Sequence, residues 1–80
     1  MKCTVKAFGI TRDIVGAREV EMELADGITV YQFKQLLFKQ YPALSTLRSL
    51  FIAINHSYAE GDQIMQTGDE IALIPPVAGG

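Results

Sequence analysis

One segment of this 80-residue chain carries the apolar spacing of a long helix, and it constrains the fold more than any other feature. Thr29 followed by Gln32 predicts a capping box at its start, and Pro42 predicts its end near Tyr41. Apolar side chains recur at helical spacing on one side, at Val30, Phe33, Leu36, Leu37 and Tyr41. Because a helix with one apolar side must bury that side against another element, we expect the remaining segments to supply a sheet.

The other segments carry strand patterns. Residues 3–8 and 18–24 alternate apolar and polar side chains, which predicts strands with one face toward a core. The segment 50–55 is apolar on both faces and predicts a buried strand, followed by a turn and a short return strand at 58–59. A last strand is predicted over 70–75.

This order of elements predicts an α+β fold in one domain. A hairpin, a helix across it and a last strand near the first give a mixed sheet of four to five strands with one main helix packed on one face. The last strand is apolar enough for an interior position, which is typical of the β-grasp, or ubiquitin-like, fold. We expect this fold to occupy residues 1–74, with an extended, flexible C-terminal tail over residues 75–80.

Composition narrows the classes of function. Seven Lys and Arg residues are scattered along a chain of net charge −2, which argues against nucleic acid as a partner. One cysteine, Cys3, and one histidine, His56, are too few for a zinc site, so no metal is expected. No apolar run reaches the roughly 18 residues of a membrane helix and no signal sequence is visible, so we expect a cytoplasmic protein that does not bind membranes.

The sequence also lacks the residue sets of independent catalysis, such as a Ser-His-Asp triad, paired catalytic carboxylates or a phosphate-binding loop. The chain is therefore not expected to be an enzyme by itself. Its mildly acidic composition suits docking against a basic protein surface. Four residues are candidates for such an acidic surface or are solvated loop charges, namely Glu60, Asp62, Asp69 and Glu70. Arg12 and Asp13 either pair with a partner or solvate their own turn.

The chain ends in the segment PPVAGG. Pro75 and Pro76 favour extended backbone and lack N–H donors, so they stiffen the exit from the last strand. From Pro75 the tail can reach roughly 20 Å at about 3.3 Å per residue. Gly79 and Gly80 have no side chains, so the terminal carboxylate can enter a narrow channel, attack the α-phosphate of ATP and become a thiocarboxylate. The residue types alone leave open an ordinary frayed end.

Three segments carry a resemblance to a known family. The segment GDEIALIPPVAGG at 68–80 resembles the C-terminus of the small, sulfur-carrier subunit of molybdopterin synthase, a MoaD-type protein of the MoaD/ThiS ubiquitin-like family. The segments FGITRDIVG at 8–16 and AIN at 53–55 resemble the first-strand exit and the third-strand ending of that family. The resemblance covers nearly the whole chain.

The resemblance implies a function for the tail. In this family an E1-like adenylyltransferase uses ATP to adenylate the terminal glycine, here Gly80, and a sulfurtransferase or cysteine desulfurase system supplies the sulfur of a thiocarboxylate. The tail then inserts into the large subunit and donates sulfur to cyclic pyranopterin monophosphate, or precursor Z, in a heterotetramer of two small and two large subunits. No cofactor is bound by the carrier itself. The residues that correspond to the inserted tail are Pro75, Pro76, Val77, Ala78 and Gly79.

The resemblance also implies a docking surface. Phe8, Tyr58 and Ile74 correspond to family positions that pack against the large subunit and the activating enzyme. Strand alternation places Phe8 on the strand face opposite to that of Val5, and Ile74 on the face opposite to that of Leu73. Exposure of Phe8 and Ile74 on the surface is compatible with this pattern. The alternative interpretation is that these residues belong to the core.

Other functions remain open at this point. The chain could serve as a sulfur carrier for thiamine, tungsten-cofactor or tRNA-thiolation pathways, as a protein modifier, or as an interaction module that never uses its terminus. Thiamine carriers usually lack the proline pair before the tail, so Pro75 and Pro76 favour the pterin pathway.

Overall fold

The computed structural model describes residues 1–76 of the protein. Its elements in chain order are β1 (Lys2–Ala7), α1 (Ile10–Val15), β2 (Glu19–Glu23), α2 (Val30–Gln40), a 3₁₀ helix (Pro42–Thr46), β3 (Phe51–Ile54), β4 (Ser57–Tyr58) and β5 (Glu70–Ile74). The strands form one mixed sheet in the order β2-β1-β5-β3-β4, with β1 and β5 parallel and the other neighbours antiparallel. The predicted β-grasp architecture is confirmed.

Strand β5 lies in the middle of the sheet, as predicted from its apolar residues. Ile71 is in register with Val5 of β1 on one side and with Ile54 of β3 on the other. Because β5 pairs along both edges, its backbone groups bond to neighbouring strands, and the N–H of its first residue, Glu70, donates to the Asn55 side chain. The last strand is thus enclosed, and the segment that follows it leaves from the centre of the sheet.

Helix α2 begins at the predicted capping box. The Thr29 hydroxyl accepts a hydrogen bond from the Gln32 N–H at 3.2 Å, and the Gln32 side chain accepts one from the Thr29 N–H at 3.0 Å. The helix ends at Gln40, before the 3₁₀ helix that Pro42 opens. The backbone N–H groups at the start of a helix have no carbonyl partner in a preceding turn, and this reciprocal cap gives two of them a hydrogen bond.

The core lies between α2 and one face of the sheet. Phe33 and Leu37 of α2 pack with the inward residues of the strands, and all are buried. Leu36 was predicted to share this side, but it is 37% exposed. It lies roughly 90° around the helix axis from the centre of the buried residues, so the sheet does not reach it. No helix among residues 1–76 is long and apolar enough to cross a membrane.

Candidate functional site

The face of the sheet opposite α2 carries an apolar patch. Phe8 is 49% exposed, Tyr58 is 72% exposed and Ile74 is half-buried. Together with Ala53 and Ala72 they line one shallow depression, and we call these five residues the apolar patch. The structure therefore brings the three predicted interface residues together on one surface.

The loop after β1 holds Phe8 at the edge of this patch. The Phe8 N–H donates to the Thr11 hydroxyl at 2.8 Å, and that hydroxyl donates to the Phe8 carbonyl. Thr11 is fully buried, so this paired hydroxyl is shielded from water. Gly9 then adopts φ 56° and ψ −131°, a conformation that residues with a β-carbon resist, and turns the chain into α1. Phe8 thus remains outside the core while its backbone stays bonded.

A tight hairpin positions Tyr58 on the other side of the patch. Asn55 and His56 both have positive φ angles, 51° and 73°, as expected for a two-residue turn between paired strands. The Asn55 side chain accepts from the Glu70 N–H at 2.9 Å and donates to Asp69 at 3.0 Å. The return strand was predicted one residue later than the structure places it, because this turn uses two residues instead of three.

Phe51 extends the apolar patch, although it was not among the interface residues predicted from the sequence. Its ring contacts that of Tyr58 edge to face, with centroids 5.7 Å apart and planes at 65°. The segment 50–55 was predicted to be buried on both faces, yet Phe51 is exposed whereas Ile52, Ala53 and Ile54 are buried. Alternation along the strand places Phe51 and Ala53 on the face opposite to that of Ile52 and Ile54. That alternation was the sequence signal that could have indicated an outward position for Phe51.

A charged cluster borders the patch. Lys6 Nζ lies 3.3 Å from Glu70 Oε1, and His56 Nε2 lies 3.5 Å from Glu70 Oε2. Asp69 accepts hydrogen bonds from Asn55 and from the Gln66 N–H. Two of the four acidic residues considered as a docking surface therefore already have partners within the chain.

The root of the tail lies beside the patch. Pro75 and Pro76 are half-buried and line a groove with Phe51 and Tyr58. A β-carbon at Gly9 would come within 3.4 Å of Pro75 Cγ, so the Pro75 ring packs closely on the loop that follows β1. The described chain thus carries the tail root directly from the centre of the sheet past the apolar patch.

The remaining tail residues named in the sequence analysis are Val77, Ala78, Gly79 and Gly80, and they lie outside the described residues. Adenylation and thiocarboxylate formation at Gly80 stay predictions. Among residues 1–76 no cluster of three or more His, Cys, Asp or Glu side chains is arranged to hold a metal ion.

Comparisons with known proteins agree with this fold. The ThiS family model matches residues 5–80. The molybdopterin synthase sulfur carrier subunit of Chlamydomonas reinhardtii is 31% identical, with 100% of both chains covered. The subunit of the same name from Homo sapiens is 35% identical, covering 91% of this chain and 88% of the relative.

Two solved structures are also similar. The putative molybdopterin converting factor, subunit 1, of Pyrococcus furiosus has a TM-score of 0.87 and 27% identity, covering 96% of this chain and 99% of the other. Small archaeal modifier protein 1 of Haloferax volcanii has a TM-score of 0.81 and 26% identity, covering 95% and 98%. Because the family model spans nearly the whole chain and relatives above 30% identity align along it, the chain belongs to the ThiS family, as a β-grasp protein of the MoaD/ThiS sulfur-carrier type.

Proposed function

We propose that this protein is the sulfur-carrier subunit of a molybdopterin synthase in the cytoplasm. Two observations support the proposal: the relatives at 31% and 35% identity carry this name, and the chain passes from the central strand β5 into PPVAGG beside an exposed apolar patch. The geometry carries the assignment, because a carrier must dock through its domain while its terminus reaches another active site. The names of these relatives favour the pterin pathway over the thiamine and tRNA-thiolation pathways.

The proposed chemistry takes place at the terminal carboxylate. A carboxylate oxygen of Gly80 attacks the α-phosphorus of ATP in an E1-like adenylyltransferase, and pyrophosphate leaves. A sulfide equivalent from a sulfurtransferase or cysteine desulfurase attacks the acyl carbon, and AMP leaves with the former carboxylate oxygen. The resulting thiocarboxylate donates its sulfur to cyclic pyranopterin monophosphate. The chain supplies the reacting group, and the partners supply ATP and the catalytic side chains.

The apolar patch is the proposed docking surface for these partners. Burying one large apolar side chain stabilises a complex by about 1.5–3 kcal/mol. Phe8 and Tyr58 are therefore the proposed anchor residues of the interface, while the tail, roughly 20 Å long when extended from Pro75, enters the partner. The proposed final assembly is a heterotetramer of two carriers and two large subunits.

The intact mass of the protein tests this function. The wild type is incubated with the adenylyltransferase of its own organism, ATP and a sulfide source, beside a variant that lacks Gly80. We expect the wild type to gain the mass difference between sulfur and oxygen, and the truncated variant to gain nothing. An unchanged wild-type mass, under conditions in which the enzyme activates its own carrier, would contradict the proposal and favour an interaction module that does not use its terminus.

A second candidate function is covalent attachment to other proteins. The structural similarity to small archaeal modifier protein 1 favours it, since that protein is named a modifier. Attachment would use the same activated Gly80, with a lysine amine as the nucleophile instead of sulfide. Peptide mass spectrometry of cells that produce the protein would detect its C-terminal glycine on substrate lysines, and the Gly80 deletion would abolish the signal. A thiocarboxylate without any such linkage would assign the protein to sulfur transfer alone.

A further inference from the structure

The fold gathers basic side chains around the apolar patch and leaves most acidic side chains elsewhere. The depression lined by the apolar patch adjoins two others. Phe8 also lines one of them, and Tyr58 and Ile74 also line the other. The charged side chains of the three depressions, apart from His56, are Lys6, Arg12, Arg18, Arg48, Glu19 and Glu70. Four basic and two acidic residues give this surface a formal charge of +2, in a chain of net charge −2. The rest of the chain therefore carries −4.

The three arginines of this surface are available to a partner. Arg12, Arg18 and Arg48 are exposed, and among residues 1–76 none has a carboxylate within salt-bridge distance. The negative charge of Glu70 is instead matched within the chain, because one of its oxygens faces Lys6 and the other faces His56. A guanidinium presents planar, paired donors that match a carboxylate. We call these three residues the arginine rim.

We propose that the arginine rim steers the E1-like adenylyltransferase onto the apolar patch, and that the enzyme presents carboxylates around an apolar centre at this interface. The inference rests on the proposed function and goes beyond it in naming the chemistry of the partner surface. It is the opposite of what the net charge suggests, since an acidic chain is expected to dock on a basic surface.

The choice of the activating enzyme over the large subunit follows from kinetics. Complementary charge raises the association rate more than the affinity, whereas lasting association depends mainly on buried apolar area. A carrier must meet its activating enzyme, react and leave again, so a fast encounter is useful there. The contact with the large subunit must last through sulfur transfer, so buried apolar area matters more there.

Charge-reversal variants test the arginine rim against a matched control. Arg12 lies in the last turn of α1 and Lys39 in the last turn of α2, and both are exposed. Arg12→Glu and Lys39→Glu therefore change the net charge equally, but only the former alters the surface around the patch. Arg18→Glu repeats the test in the same depression as Arg12, and Arg48→Glu extends it to the depression beside Tyr58.

The measurement is the association rate constant with the adenylyltransferase by stopped-flow fluorescence, at low and high ionic strength, after circular dichroism has confirmed folding. We expect each rim variant to associate about threefold to tenfold more slowly than the wild type at low salt, and Lys39→Glu within about twofold of it. The differences should shrink at high salt because exposed charges are screened.

Each other outcome overturns the proposal. A wild-type rate that does not depend on salt, or a control that slows as much as Arg12→Glu, would show that the rim does not steer. Faster association of the rim variants would show a basic partner surface. If the carrier still gains sulfur while the rates are unchanged, this inference fails and the proposed function stands. If the enzyme neither binds nor activates the wild type, both fail.

Discussion

The two faces of the central strands differ although their sequences look alike. On the inner face of β1 and β5, Val5, Ile71 and Leu73 are almost fully buried under α2. On the outer face of the same strands, Ile74 remains half-buried, and Phe8, one residue beyond β1, is 49% exposed. An apolar side chain in a strand is thus not assigned to the core by its type. The element that covers its face decides, and among residues 1–76 a helix covers only one face of the sheet.

The difference separates stability from recognition. Burial of the inner residues stabilises the folded protein. The outer apolar residues stay partly exposed, so their burial can stabilise a complex with a partner. A domain of this length has little stability to spare, so the inner face should tolerate little change. The outer face can be changed with small effect on folding, which makes the comparison testable residue by residue.

The largest effect should come from truncating neighbouring residues on opposite faces of β5. Leu73→Ala removes a fully buried side chain and should lower the free energy of unfolding by about 2–5 kcal/mol. Ile74→Ala, one position further, should lower it by about 1 kcal/mol, since the side chain already contacts water. Urea unfolding followed by circular dichroism measures both. Equal losses would show that the outer face also belongs to the core.

The next largest effect concerns binding. Phe8→Ala should weaken the complex with the adenylyltransferase about tenfold, because docking buries the part of the side chain that is exposed in the free protein. Ile10→Ala is the matched control: Ile10 is equally exposed, at 49%, but does not line the patch. Isothermal titration calorimetry gives the affinities. A large drop in melting temperature with unchanged affinity per folded molecule would place Phe8 in the core instead.

A smaller effect is expected at the start of the helix that covers the inner face. Thr29→Ala breaks the capping box and should lower the free energy of unfolding by about 1 kcal/mol, while leaving the affinity for the partner unchanged. Gln35→Ala, at an exposed position inside α2, should have almost no effect on either. Loss of partner affinity in Thr29→Ala would mean that the two faces are coupled.

The smallest effect concerns Cys3 on the inner face. Burial raises the pKa of its thiol above the usual 9.0. The unfolded chain therefore loses the thiol proton more readily, so the stability that comes from Cys3 is present below pH 9.0 and is lost as the pH rises above it. Unfolding free energies measured from neutral to alkaline pH should fall more steeply in the wild type than in Cys3→Ala. Parallel curves for the two proteins would contradict the assigned burial.

Local features were predictable because they depend on neighbours in sequence. The capping box of Thr29 and Gln32 was found, and so was the alternation that turns Val5 inward and Phe8 outward. The predictions failed where a distant segment decides. Leu36 satisfies the helical spacing but is 37% exposed, and Phe51 belongs to an apolar run whose outer face stays uncovered among residues 1–76.

The candidate site shows the same division. The resemblance named Phe8, Tyr58 and Ile74, and the structure brings them to one depression. Their role in docking stays a prediction, as does the chemistry of Gly80. Arg48 could not be assigned to this surface from the sequence, because its neighbours in the fold are distant in the chain.

The sequence by itself determined the helix, the strands, their order along the chain and the glycine-ending tail, since periodicity, capping and proline act within a few residues. Only the tertiary structure decided the register of β5 between β1 and β3, the exposure of Phe51, and the gathering of basic residues from separate segments around the apolar patch. The physical reason is that strand pairing and burial join residues far apart in sequence, so their outcome depends on the assembled sheet and helix together.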